Sequence, residues 1–298
     1  MSIAAGIGLF LSLIALKGAG IIVSSEATLV KLGDIHQPVA LLVLAGFAMV
    51  VALGHFRVKG AIILTILALT AISTLLGLSE FKGVIGEIPS IAPTFMQMDF
   101  TGLFKLSMVS VIFVFFLVDL FDSTGTLVGV SHRAGLLEDG KLPRLKRALF
   151  ADSTAIVAGA ALGTSSTTPY VESAAGVAAG GRTGLTAVTV GVLMLACLIF
   201  SPLVQSIPGF ATAPALLYVG AQMLRSAREI DWEDVTEAAP AFLTIVFMPF
   251  TYSIADGIAF GFISYAVIKL LCNRVKDVPP MVWIVAVLWA LKFWYLGG

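Results

Sequence analysis

Long apolar runs separated by short polar stretches set the plan of the chain. The runs fall at 3–23, 38–54, 60–78, 103–125, 148–162, 170–180, 184–207, 212–225, 240–254, 257–272 and 279–296. A helix that crosses a bilayer needs about 20 apolar residues, fewer where it is broken inside protein. Several runs are too short to span alone, 148–162 and 170–180 above all. Such short, Gly/Pro-interrupted segments mark discontinuous helices, with polar chemistry gathered at the break. The pattern predicts an all-α polytopic membrane protein of about ten or eleven transmembrane or half-membrane helices.

Composition supports this class. The chain is 58% hydrophobic with a mean hydropathy of +1.02, and 12% of its residues are charged, against about 25% in a soluble domain. Lys+Arg and Asp+Glu both number 18, so no basic surface for nucleic acid is expected. Cys197 and Cys272 lie in or at the end of apolar runs without metal-type spacing and read as small apolar fillers. The opening "MSIAAGIGLFLSLIALKGAG" lacks a basic leader and a clear cleavage site, so it reads as a first helix.

Loop charge then gives an orientation. His55, Arg57 and Lys59, the group Arg133, Lys141, Arg144, Lys146 and Arg147, and Arg182, Arg225, Arg228, Arg274 and Lys276 all fit one cytoplasmic side. The N-terminus is then cytoplasmic, and loops 24–37 and 79–102 face outside. Trp and Tyr near the ends of "MVWIVAVLWALKFWYL" suit interfacial anchors. No soluble domain fits between the runs, and no internal sequence repeat is visible.

Two stretches carry candidate chemistry. In "FVFFLVDLFDSTGTLVGV", 113–130, Asp119 and Asp122 are three apart and share a helix face, with Ser123, Thr124 and Thr126 following. Asp122 lies about two and a half turns into the run, roughly 14 Å at 1.5 Å per residue, near mid-bilayer. Desolvation and mutual repulsion there raise at least one carboxyl pKa. The plainer alternative leaves Asp122 at the membrane boundary, meeting water.

In "GTSSTTPYVESAAGVAAGGRTG", 163–184, a glutamate sits among hydroxyls and glycines between apolar runs. Residues 164–168 read as extended and 170–180 as a half-helix, with Pro169 before its first turn and Glu172 inside it. Free N–H groups and the positive dipole end would serve a carboxylate or a ligand's polar edge. The alternative makes the Ser/Thr run interhelical glue and pairs Glu172 with a nearby Arg.

Other charges signal less. Lys17 can snorkel, Asp152 starts a helix or lines a polar core, 228–238 reads as a solvated amphipathic stretch, and Asp256 reads as a cap. His36, His55 and His132 fall in loops and form no ligand cluster. There is no HExxH and no Walker A sequence, and the two aspartates share one helix instead of facing each other from two. No catalytic residue, metal site or cofactor is expected.

At these two stretches the sequence resembles the adenine/guanine/hypoxanthine permease family, the AzgA-like branch of the nucleobase:cation symporters. "DLFDSTGTLVGVSHRAGLL", 119–137, is similar to the family's eighth-helix motif, and "TTPYVESAAGVAAGGRTGLTA", 167–187, to its tenth-helix motif. "PAFLTIVFMPFTYSIADGIAFGFISY", 240–265, and the opening "AAGIGLFLSLIALKGAGIIV" are similar as well. The resemblance runs over nearly the whole chain. Ser123 stands where many relatives would have Thr.

The resemblance implies part of a seven-plus-seven inverted-repeat fold with core and gate domains, and a short strand before a broken helix. It makes 1–80 the first gate helices, 81–102 an extra-cytoplasmic loop, 103–207 the second half of the core, and 208–298 the last gate helices. It implies a purine permease (guanine, hypoxanthine or adenine), coupled to a cation, the proton. The expected substrate-binding set is Asp122, Glu172, Ser123, Thr168 and Tyr170, and Asp119, Asp122 and Glu172 are the candidates for proton coupling. The implied setting is a bacterial plasma (inner) membrane, with a lipid bilayer around the chain and a homodimer as its assembly. Family members run longer at the N-terminus, so the chain is expected to lack the first helices. A non-transporting fragment or an accessory membrane subunit is the competing expectation.

Overall fold

A computed structural model describes the chain except residues 104, 106–107, 109–111, 114, 117–118, 121–122, 125, 128–129, 132–134, 139–141, 171–172, 179 and 297–298. Its helices, in chain order, are α1 (Ser2–Gly18), α2 (Pro38–His55), α3 (Ala61–Leu75), α4 (Leu145–Leu162), α5 (Ser173–Ala178), α6 (Gly184–Ala196), α7 (Ser201–Gln205), α8 (Ala213–Met223), α9 (Val235–Thr251), α10 (Ile254–Leu271) and α11 (Pro280–Leu296). The described residues between 108 and 131 are also helical. Each helix falls on one of the predicted apolar runs, and the all-α reading holds. By length and composition, Pro38–His55, Gly184–Gln205 and Ile254–Leu271 can each cross a membrane, and Ser2–Gly18, Ala61–Leu75, Val235–Thr251 and Pro280–Trp294 are shorter apolar helices.

Two boundaries depart from the sequence reading. The first run continues to residue 23, yet α1 stops at Gly18. Gly20 takes φ +70°, which lets the Ile21 N–H reach the Leu16 carbonyl and its own N–H reach Lys17, both at 3.0 Å. That pair of bonds is a Schellman stop, and it satisfies the last carbonyls regardless of the apolar residues that follow. Those residues instead form an antiparallel pair, β1 (Ile22–Ser25) and β2 (Leu29–Leu32), in the register Ile22 to Leu32 and Ser25 to Leu29. The second departure is the strand expected before the broken helix. Residues 164–170 have no regular structure, and the described strands are the pair at 22–32 alone. Among the described residues no neighbouring backbone pairs with 164–170, Pro169 has no N–H to offer, and the Thr164 hydroxyl turns back to the Gly159 and Ser165 carbonyls.

The chain divides into two units, Met1–Gly83 with Pro202–Gly298, and Val84–Ser201. In the first, α1 packs on α8 and α9, α2 on α8, and α9 and α10 form a hairpin against which α11 lies. Ala15, Ala19, Ile21, Ala40, Val43 and Ala213 make one buried cluster, covered by Leu16, Phe210, Leu216 and Leu217. Small residues set the closest approach. A Cβ at Gly8 would stand 2.6 Å from the Gly220 carbonyl oxygen, and one at Gly220 would stand 2.5 Å from that of Gly8. Backbone against backbone is how membrane helices gain packing without a hydrophobic drive between them. Ser253 caps α10 by accepting from the Asp256 N–H at 3.1 Å. Asp256 is therefore not the cap itself; its carboxylate faces the Lys292 ammonium of α11 at 3.6 Å. Lys17, expected to snorkel, lies over the Tyr252 ring, 4.6 Å from its centroid.

The second unit holds the helical residues of 108–131, α4, α5 and α6, and an irregular stretch over 84–102. It contains every residue proposed above for substrate or proton.

Candidate functional site

The site grows from the helical run 108–131 and from the turn that leaves α4. Exposure falls along the run. Ile112, Phe115 and Phe116 are exposed, whereas Ser123, Thr126 and Ser131 are buried. Asp119, half-buried, and Ser123 are four apart and so lie one turn apart on the same helix face. Ser123 is fully buried, and its hydroxyl has no hydrogen-bond partner among the described residues. A buried hydroxyl left unpaired carries its full desolvation cost. That makes Ser123 a polar group with an open hydrogen bond to offer among the described residues of this run.

The second element begins where α4 ends. Gly163, at φ +77°, turns the chain out of the helix. The stretch 164–170 follows, with Thr168 and Pro169 half-buried and Tyr170 exposed. The Tyr170 carbonyl accepts from the Ser173 N–H at 3.1 Å, just ahead of α5. Of the half-helix expected over 170–180, the described residues Ser173–Ala178 are helical, and Gly180 follows at φ +103°.

Asp122 and Glu172 lie outside the described residues. No hydrogen bond links Ser123 to Thr168 or Tyr170 among the described residues. The structure thus brings Asp119 and Ser123 together on one face, and leaves Thr168 and Tyr170 on a separate stretch of the same unit. No group of three or more His, Cys, Asp or Glu that could hold a metal occurs among the described residues.

Sequence reasoning missed a polar network in the other unit. The stretch 228–238 is not simply solvated. Asp234 caps α9 by accepting from the Thr236 N–H at 2.9 Å and the Thr236 hydroxyl at 2.7 Å, and it pairs with Arg274. The Thr236 hydroxyl first, then the Arg274 guanidinium and the Thr236 N–H, hold its carboxyl well below the usual carboxylate range. Arg274 also binds Asp277 at 2.8 Å. One turn into α9, Glu237 accepts from the ammonium of Lys269 at 2.6 Å; the Lys269 side chain is 0% exposed and that of Glu237 39%. Lys269 also donates to the Thr236 hydroxyl at 2.8 Å, and the Tyr265 hydroxyl donates to Glu237 at 3.3 Å. Glu237 and Tyr265 line a cavity of about 570 Å³ with Ile3, Thr244, Ile258 and Phe262. Of the substrate residues predicted from sequence, the described ones, Ser123, Thr168 and Tyr170, do not line it. The signal was in the sequence, since Lys269 is a lone cation inside "GIAFGFISYAVIKLLC" and demands a partner.

Comparison with known proteins covers almost the whole chain. A family model described as "Permease family" (Xan_ur_permease) matches residues 1–260. A permease of Methanocaldococcus jannaschii is 49% identical over 297 residues, 99% of this chain and 68% of that protein. The adenine permease AdeP of Escherichia coli is 45% identical over 299 residues, 100% of this chain and 67% of its own. The guanine/hypoxanthine permease PbuG of Bacillus subtilis is 43% identical over 299 residues, 99% and 68%. The chain thus spans about two thirds of the length of these relatives.

Proposed function

Because the chain belongs to this permease family and is an integral membrane protein, we propose that it carries purine nucleobases, guanine, hypoxanthine or adenine, across a membrane by proton-coupled symport. The observation that carries this reading is the similarity, over nearly all of this chain, to permeases named for adenine and for guanine/hypoxanthine. The reading has no place for enzymatic chemistry. It sets the protein in a bacterial plasma membrane with a cytoplasmic N-terminus, and takes 103–207 as core and the flanking helices as gate.

The chemistry follows from the purine edge. Ring N–H groups are donors and need a carboxylate, the role assigned to Asp122 and Glu172. Carbonyl and ring-nitrogen acceptors need donors, for which the Ser123, Thr168 and Tyr170 hydroxyls are chosen. The open hydrogen bond of Ser123 supports the choice. In a dry site a ligand lacking one partner leaves a polar group unpaired, which gives specificity. A carboxylate that changes solvent access during transport also changes its proton affinity, which makes Asp119, Asp122 and Glu172 candidates for the coupling proton.

The test is uptake of radiolabelled hypoxanthine, guanine and adenine in cells lacking their own purine permeases, with membrane insertion checked in parallel. Uptake above the empty vector is expected, and Glu172→Gln and Asp122→Asn should each lower it or flatten its pH dependence. No uptake from an inserted chain would refute transport by this chain and return the reading of a non-transporting fragment or accessory membrane subunit. Unchanged uptake in both variants would refute the site assignment.

A further inference from the structure

The end of α4 is closed by two sets of bonds from different parts of the chain. A helix leaves its last four carbonyls without internal partners. Here the nearest chain satisfies two of them. The Gly163 N–H reaches Ala160 at 3.1 Å and the Thr164 N–H reaches Gly159 at 2.9 Å, a Schellman pair. The other two are met from about 65 residues upstream in sequence. The Met96 N–H donates to the Ala161 carbonyl at 2.8 Å, and the Thr94 hydroxyl donates to that of Leu162 at 3.0 Å. The same hydroxyl also lies 3.2 Å from the Ile91 carbonyl within its own segment.

Three further facts show that this contact is specific. Met96 adopts φ +56°, a backbone state that an L-residue enters at a cost and keeps only where its surroundings hold it. The backbone of 91–97 folds on itself through bonds from the Thr94 and Phe95 N–H groups to the Ile91 carbonyl, at 3.0 and 2.9 Å. At Gly163 a Cβ would stand 2.4 Å from Thr94 Cβ and 2.7 Å from the Thr94 carbonyl oxygen. Gly163 is therefore held to glycine twice, by its φ and by Thr94. Every group named here belongs to the 84–201 unit.

Immediately after Gly163 comes the stretch 164–170. We propose that residues 91–97 are a strap that positions this stretch for substrate, with Thr94 and Gly163 as its positioning residues. The inference rests on the reading of 164–170 as part of a purine site. Thr94 is exposed, so water replaces its bond when the hydroxyl is removed. The helix end survives, and what is lost is the fixed departure of the chain toward Thr168 and Tyr170.

The test uses the full chain in detergent with Cys197 and Cys272 changed to Ser, since both are exposed, and with Ser166→Cys as reporter. N-ethylmaleimide labelling is timed with and without hypoxanthine. Thr94→Val should speed labelling and raise the half-protecting hypoxanthine concentration, each about 3–10-fold for the loss of one hydrogen bond, with the thermal midpoint unmoved. Thr94→Ser should restore both, and Gly163→Ala should exceed Thr94→Val. Labelling and protection unchanged in Thr94→Val would overturn the strap. Failure of hypoxanthine to protect the parent protein would instead refute the purine reading of the stretch, and the labelling rates would still decide whether the strap positions it.

Discussion

Changing Glu237 to Gln should harm the fold more than changing its partner Lys269 to Met, although each removes one end of the same ion pair. The reason is the asymmetry of burial. The Lys269 side chain is 0% exposed, and that of Glu237 is 39% exposed at the wall of a cavity. Glu237→Gln leaves a buried ammonium with a neutral amide oxygen, the Thr236 hydroxyl 2.8 Å away and the face of the Tyr265 ring, whose centroid is 5.4 Å away, none of them charged. Stranding a buried charge costs about 3–5 kcal/mol, and the open side of the pair argues for the lower end, about 3 kcal/mol. Lys269→Met fills the same space and leaves a carboxylate that water can reach, a loss of about 1 kcal/mol once solvent screening is counted. The double variant should lie near Lys269→Met, because no charge is then stranded; the coupling is about 2–3 kcal/mol. At about 2–4 °C per kcal/mol, a thermal scan in detergent at one heating rate should place Glu237→Gln about 6–12 °C below the parent and Lys269→Met about 2–4 °C below. A Lys269→Met midpoint equal to or below that of Glu237→Gln would refute the burial argument.

Further expectations follow from single groups. Ser123→Ala removes a buried hydroxyl without a partner among the described residues, so the melting midpoint should hold or rise while half-maximal uptake needs about 3–10-fold more purine; a clear fall in midpoint would show a structural role instead. Gly220→Ala puts a methyl 2.5 Å from the Gly8 carbonyl oxygen and should cost about 1–3 kcal/mol, whereas Gly184→Ala, with nothing within 4 Å, should be silent in the same scan. Asp234 has a depressed folded-state pKa, so its contribution is complete above the unfolded carboxylate pKa, about 3.9, and fades as pH falls below it. The midpoint gap between parent and Asp234→Asn should stay constant from pH 8 to 5 and close in stronger acid; a gap that closed between pH 7 and 5 would contradict this.

The helices were legible because the apolar runs are long and their interruptions sharp. Each predicted run holds helical residues among those described, down to the stretch after Pro169. Boundaries were less legible where a local hydrogen-bond pattern outweighed hydropathy. At Gly20 the left-handed turn closes α1 while the side chains that follow are still apolar. At 164–168, β-branched and hydroxyl residues suggested an extended stretch and the family resemblance implied a strand before the broken helix, but a strand needs a paired backbone, which residues in series cannot supply. The candidate site was partly legible: Asp119 and Ser123 share a face as the helical spacing required, but nothing in the sequence could show that the Ser123 hydroxyl is buried with its bond open.

By itself the sequence determined the membrane class, the stretches on which the described helices fall, and the family, since each rests on local composition or on motifs read in series. The tertiary structure decided which polar groups meet. Glu237 and Lys269 are brought together by the α9–α10 hairpin, and Thr94 and Leu162 by a contact between segments about 70 residues apart. The physical reason lies in the range of the forces. Hydropathy and backbone propensity act within a few residues of the chain, whereas hydrogen bonds and ion pairs act within a few ångströms of space. Only the fold converts one distance into the other.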